Sequence, residues 1–308
     1  MSELLNYPKR GYGMDHDRYT WSMLQDRPPI TWPGHKPLAL WININVQHFP
    51  LAGDKPKVAP PGALTMPYPD LRHYTLRDYG NRVGIYRLLS VLEDLGAKAS
   101  LAISGALTER HPELIRHLAQ TPHEWMGHSW DMLSIHAGDV EVETEGFWIR
   151  RSKEALESCY ARPITGWFSP GRIQTNNTPE LLAEAGFQFH CDWVNDELPY
   201  TFNTHKGAMT CLPSNLELDD AFLLTQNFHS EDSYAEQVLD AAHYLIEEGR
   251  QSGGRLLALN LHPWLVGQPH RIATIRRVLT TLLVDHQEDI FNAWPSEIIA
   301  ASAAQITR

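Results

Sequence analysis

The first sustained apolar run, Pro37 to Val46, is dominated by Leu, Ile and Val and reads as a strand. Residues 49–75 follow, with prolines at 50, 56, 60, 61, 67 and 69 and no helical period before Tyr68. A Pro-rich segment this long inside a domain reads as a lid or binding loop. Thr75 to Leu95 then predicts a helix, with Val83, Tyr86, Leu89, Val91 and Leu92 as its apolar stripe and Gly96 as its C-terminal cap. From there the pattern alternates. Strands are expected at Ala97–Ile103, Glu124–Met126, Ile164–Phe168, Phe187–Cys191, Phe222–Thr225, Arg255–Leu261 and Ile290–Asn292. Helices are expected at Pro112–Ala119, Glu143–Cys159, Thr178–Ala185, Ser233–Gly249 and Arg271–Val284, with Thr178 as an N-cap and Pro179 at the first helical position.

Strand and helix in repeated alternation argue for parallel strands joined by crossover helices. Gly, Pro and polar residues gather just after each strand, where barrel enzymes place their chemistry. The expected fold is therefore α/β, a distorted β/α barrel of about seven parallel strands. A doubly wound open sheet is the alternative, although no G-x-G-x-x-G follows the first strand. Residues 1–36 read as an irregular arm, 37–300 as one barrel domain and 301–308 as a tail.

Composition narrows the partners. The 308 residues carry a formal net charge of −11, which argues against nucleic acid or an anionic membrane surface. The three cysteines, Cys159, Cys191 and Cys211, form no C-x-x-C pair and read as thiols in a reducing compartment. No charged-then-apolar leader opens the chain, and no apolar run reaches the roughly 18–20 residues that span a bilayer. A cytoplasmic protein is the expectation.

Candidate chemistry collects at four strand ends: Gln47-His48, His128-Ser129-Trp130-Asp131-Met132, Gly171-Arg172 and Asn260-Leu261-His262-Pro263. An acidic and aromatic loop, Asp192 to Tyr200, joins them. Imidazoles bind metal or move protons, and a guanidinium holds a carboxylate or polarises a carbonyl. Each residue also has a plainer role open to it. Arg172 could cap a helix or pair with Glu180, Asp196 could organise its own loop, and Trp130, Trp193 and Trp264 could be core rather than pocket wall.

In order and content, five segments resemble the polysaccharide deacetylase (NodB-homology) superfamily, specifically its cytoplasmic branch with metal-independent allantoinase and peptidoglycan-deacetylase-like proteins. They are Tyr79–Arg87, His123–His128, Trp167–Arg172, Asp196–Tyr200 and Leu261–Arg271, and the resemblance covers roughly residues 30–300. It implies a distorted barrel that hydrolyses a C–N bond in an amide, acetamide or cyclic ureide, and a homo-oligomer with a tetramer as one form. In metal-dependent members the first strand ends in two acids, a base and a metal ligand. A His-x-x-x-His pair completes the metal site, and a late Leu-x-His supplies the acid. In this chain Gln47 and His48 stand at the acid positions, His128 and Met132 at the His pair, and His262 at the late motif.

Met132 is a soft thioether, a poor ligand for zinc, which leaves His48 and His128 as a two-ligand site. No cofactor is the preferred expectation, with a single divalent zinc the alternative. Gln47 cannot take a proton from water as a carboxylate would. Three explanations stay open: His48 or an acid of the 192–197 loop acts as base, the protein binds without turnover, or Gln47 is an inactivating replacement of Glu. The leading expectation is hydrolysis of a small cyclic or acylated amide. His262 protonates the leaving nitrogen, His128 and Arg172 position the substrate, and Asp196, Trp130, Trp193 and Trp264 contact it.

Overall fold

Every residue of β1 (Leu38–Val46) is buried, and its two faces serve different layers. Leu38, Leu40, Ile42, Ile44 and Val46 join the main core, while Ala39 and Trp41 join a second cluster. A strand buried on both sides belongs in a parallel sheet covered by helices. In the computed structural model, which describes residues 16–51 and 70–305, β1 sits in such a sheet.

The other strands are β2 (Ser100–Ile103), β3 (Glu124–Gly127), β4 (Gly166–Trp167), β5 (Phe189–His190), β6 (Tyr200–Thr204), β7 (Gly207–Cys211), β8 (Arg255–Leu261) and β9 (Ile290–Asn292). Their order is β6-β7-β5-β4-β3-β2-β1-β8, and β9 pairs with the start of β1. All pairings are parallel except β6 with β7. Among the described residues β8 and β6 do not pair, so the sheet curls into a barrel with an open seam, the expected distorted β/α barrel.

Helices α1 (Leu71–Tyr79), α2 (Ile85–Asp94), α3 (Leu107–Arg110), α4 (Pro112–Leu118), α5 (Val142–Tyr160), α6 (Thr178–Glu184), α7 (Glu231–Ser252), α8 (Pro263–Val266), α9 (Ile272–Thr280) and α10 (Pro295–Ser302) make the outer layer. Leu88 and Leu92 of α2, Val238 and Leu245 of α7, and Val278 of α9 pack with the outward face of β1. The inner cluster, with Trp41, Met126, Phe168, Phe189 and Leu256, fills the barrel.

Three expectations need correction or completion. Phe222–Thr225 is not a strand but a π-helical turn, Phe222–Gln226, because Asp219 accepts from the backbone N–H of Ala221 and Phe222 and starts a helix there. No strand is expected between Cys191 and Phe222, yet β6 and β7 form a hairpin there that turns through His205 and Lys206 and leaves the turn at Gly207, whose φ is +123°. Thr178 is the first helical residue rather than the cap, and its hydroxyl binds Glu145 and the Thr175 N–H instead. The Pro-rich lid expected at 49–75 falls largely on 52–69, outside the described residues.

Between α1 and α2 lies a π-helical turn, Gly80–Gly84, that packs backbone to backbone on α8. A Cβ on Gly84 would sit 2.0 Å from the Pro263 carbonyl oxygen, and one on Gly80 would sit 2.7 Å from the Trp264 nitrogen. Such π-turns recur at functional sites, and this one brings Asn81 to the strand end, where its Nδ2 donates to the Gln47 carbonyl at 2.8 Å. Gly84→Ala is therefore expected to cost about 1–3 kcal/mol or more of stability through overpacking. Urea unfolding would show it as a lower midpoint with an unchanged slope.

Candidate active site

Alternation along β1 turns the odd-numbered side chains into the barrel, so Asn43, Asn45 and Gln47 follow Trp41 inward. Asn43 is in register with Asn260 of β8. These buried amides satisfy one another: Asn43 Nδ2 and Asn45 Nδ2 donate to Asn260 Oδ1 at 2.7 and 2.8 Å. Asn260 Nδ2 in turn donates to Asp219 Oδ2. Arg172 Nη2 reaches the same oxygen at 3.0 Å, and its Nε donates to Ser214 Oγ at 2.8 Å. Buried polar groups of this kind are stable only when fully paired, and here they fix both Asp219 and Arg172 in place. Burial alone would raise the Asp219 pKa, but Arg172, His262 and Asn260 hold it below the usual carboxylate range.

Asp220 turns the other way. Its Oδ2 accepts the His262 backbone N–H at 2.7 Å, and its Oδ1 lies 2.5 Å from His262 Nδ1. Burial pushes Asp220 upward. Burial also disfavours the imidazolium of His262, but Asp220 and Asp219 together outweigh it and raise the His262 pKa. With Nδ1 committed to Asp220, Nε2 is the ring nitrogen offered to the cavity. This is the geometry of a proton donor.

Gln47 and His128 form a neutral pair. His128 Nδ1 lies 2.6 Å from the Phe168 carbonyl oxygen, which only accepts, so Nδ1 carries the proton. Nε2 is then an acceptor, and the Gln47 amide Nε2 donates to it at 3.2 Å. That fixes the orientation of Gln47 and leaves its Oε1 to the cavity. Burial drives the His128 pKa down to about 3, so the ring is neutral at ordinary pH.

These groups line one cavity of about 260 Å³ with Asn45, Met132, Ile135, Phe168, Phe222 and Trp264. Arg77 of α1 also lines it, its guanidinium 3.3 Å above the Trp264 ring. Burial lowers Arg77 to about 9, opposed by Asp220. The structure thus brings together Gln47, His128, Arg172, His262 and Trp264.

The remaining expected residues lie elsewhere. His48 and Trp130 line a separate cavity with Arg110, His111 and Asp131. Asp196 caps the N–H groups of Glu197 and Leu198 and pairs with Arg27 at 2.6 Å. Trp193 packs against His16, Tyr19 and Phe202 and donates to Gln174 Oε1 at 2.8 Å. Arg172 pairs with Asp219, and Glu180 is taken by Arg18. Cys191 and Cys211 are buried thiols whose pKa burial raises. Sequence reasoning missed Asp219, Asp220, Arg77 and the Asn ladder. The polar residues at 43, 45 and 260, inside otherwise apolar strands, were the available signal.

Asp219, Asp220 and His262 place one donor atom each within 4.8 Å of one another, the spacing of a metal triad. Their atoms are, however, already used. Both Asp219 oxygens accept from N–H donors, among them the Arg172 guanidinium, and both Asp220 oxygens face His262. His128 has a proton on one ring nitrogen and the Gln47 amide on the other. An ion at either place would have to break charge-assisted or buried hydrogen bonds, so the donor sets do not fit a resident metal in this arrangement.

Sequence and structure comparisons find related proteins. A sequence model of the polysaccharide deacetylase family matches residues 74–190. A Schizosaccharomyces pombe protein named "Putative polysaccharide deacetylase" is 22% identical over 301 residues, covering 86% of this chain and 92% of its own. The crystal structure of Puue allantoinase superposes with a TM-score of 0.82 at 25% identity, covering 97% of this chain and 98% of its own. A probable polysaccharide deacetylase from Pseudomonas aeruginosa PAO1 gives 0.80 at 25% identity, covering 90% and 95%. Residues 74–190 therefore match the polysaccharide deacetylase family model, within a fold shared along nearly the whole chain with an allantoinase.

Proposed function

We propose that the cavity hydrolyses the C–N bond of a small cyclic or acylated amide, an imide, ureide or acetamide, without a resident metal. The observation that carries this reading is the buried His262–Asp220 pair, facing a cavity beside Gln47 and His128. A cavity of about 260 Å³ has room for a compact ring or an N-acyl group. Water adds to the carbonyl carbon beside residue 47 and passes its own proton to the carbonyl oxygen as negative charge builds there, because the Gln47 amide cannot accept it. The C–N bond of the resulting diol adduct breaks as His262 Nε2 gives its proton to the departing nitrogen, and His262 recovers a proton from the carboxylic acid that forms. Arg172 and Arg77 supply positive charge to the carbonyl oxygen as it becomes an oxyanion. Asp219 and Asp220 keep His262 charged until the proton leaves. The likeness to an allantoinase and to polysaccharide deacetylases supports the reaction class.

A second reading, a small-molecule-binding protein on the same barrel, is favoured by the Gln47–His128 hydrogen bond, which leaves no ionised base at the strand end. One screen tests both. Imides, ureides and N-acetyl amides are first ranked by the thermal stabilisation they confer on the wild-type chain, and the best binders are then followed for product. Hydrolysis of a stabilising ligand is expected. Stabilisation with no product, even in the Gln47→Glu variant, would favour the binding protein.

A further inference from the structure

We propose that His243 and His286, neither of which lines the cavity, form a surface binding site for a divalent transition metal of the zinc class. His243 lies in the middle of α7. His286 follows a π-helical turn, Thr281–Asp285, that extends α9, and its own N–H is anchored to the Thr281 carbonyl at 3.1 Å. Their Nε2 atoms converge to 3.2 Å. Two nitrogens bound at 2.0–2.1 Å to one tetrahedral zinc stand about 3.3 Å apart, so the spacing matches one edge of a zinc tetrahedron.

The ring positions agree. The centroids are 5.1 Å apart, with planes at 63°. Two imidazoles on one tetrahedral ion would place them about 5.2 Å apart. A straight N–H···N hydrogen bond of the same length would place them at about 5.5 Å.

A carboxylate stands near the far side of one imidazole. His286 Nδ1 lies 3.6 Å from Asp289 Oδ2, longer than a hydrogen bond but within an ion-pair distance. Asp289 is itself held through Oδ1 by Arg250 Nη2 at 2.7 Å. A carboxylate behind a ligating histidine fixes the ring and raises the basicity of the coordinating nitrogen. His243 is exposed, and His286 retains 30% side-chain exposure, so solvent can complete the coordination shell. Imidazole donors suit zinc, copper and nickel rather than magnesium or calcium. An ion here would tie α7, which leads into β8, to the segment that leads into β9.

The test uses the full-length chain, treated with chelator and dialysed, and titrated calorimetrically with zinc chloride. The wild type is expected to bind one ion at this site and to melt at a higher temperature as zinc rises. His243→Ala and His286→Ala should each weaken binding about 10-fold or more, and the double variant should bind more weakly than either single one. Copper(II) bound to the wild type should show two coupled nitrogens by electron paramagnetic resonance, and one in either variant. No saturable binding by the wild type would overturn the proposal. So would isotherms that both variants leave unchanged, because the ion would then sit elsewhere.

Discussion

Replacing Asp220 with Asn is expected to lower kcat for C–N hydrolysis by about 10²–10⁴-fold, the usual worth of a positioned general acid. The two side chains have nearly the same shape, so the change removes a charge and leaves the packing. Asp220 is the largest influence raising the His262 pKa against burial. Without it, burial dominates and the imidazole is neutral where the wild-type ring is charged. Because the folded-state pKa of His262 is raised, the acid form persists above the ordinary histidine value and is lost only as pH rises through the folded value. The alkaline limb of the wild-type pH–rate profile should therefore lie above that ordinary value, and in Asp220→Asn it should move to lower pH. The same sign governs stability. The pair's contribution is complete below the unfolded histidine pKa and disappears as pH rises through the folded one. An unshifted limb in Asp220→Asn would remove His262 as the proton donor.

Gln47→Glu is expected to raise turnover by about 10²–10⁴-fold, since it adds an ionisable base at the strand end. The amide Nε2 that donates to His128 becomes a carboxylate oxygen facing a lone pair at 3.2 Å. Two acceptors cannot face each other at that distance while buried, so one of them takes a proton. The ion pair formed by protonating His128 keeps its Nδ1–H on the Phe168 carbonyl. Nuclear magnetic resonance titration of His128 should then show a pKa well above the value of about 3 that burial gives it beside Gln47. The second oxygen of the new carboxylate would take the place of Gln47 Oε1 and face water in the cavity. A carboxylate there restores the base that the resemblance to metal-independent allantoinase leads one to expect.

The barrel was legible because its strands are buried on both faces. The long apolar runs at 38–46 and 255–261 and the short one at 290–292 became β1, β8 and β9 with matching bounds or nearly so. Phe222–Gln226 is the instructive failure. A short apolar run fits a strand or a helix equally well. What decided it was Asp219, whose Oδ1 accepts from the N–H groups of Ala221 and Phe222 and whose Oδ2 is held by Asn260, about forty residues further on. The β6–β7 hairpin was hidden for a related reason, since its edge position leaves only four of its ten strand residues buried and breaks the apolar run.

The site divides along the same line. Gln47, His128, Arg172 and His262 sit at strand ends, and strand ends of a parallel barrel converge. His48 was expected beside them, yet side chains alternate along an extended chain. Once Gln47 faces inward with Asn43 and Asn45, its neighbour turns away, and His48 lines the cavity with His111 instead. That much could have been read from the period of two. Arg77 could not, because it enters from a helix whose position depends on three glycines, Gly84 and Gly267 packed against each other and Gly80 against Trp264 of α8.

The central claim, that this cavity breaks a C–N bond with His262 as the proton donor, is tested most directly by comparing the Gln47→Glu variant with the double variant that also carries His262→Ala. Both are assayed for product on the same panel of imides, ureides and N-acetyl amides. Turnover of at least one compound by the first variant and its loss in the second is the predicted result. Failure of Gln47→Glu to hydrolyse any compound that it binds, or equal turnover by the two variants, would contradict the account.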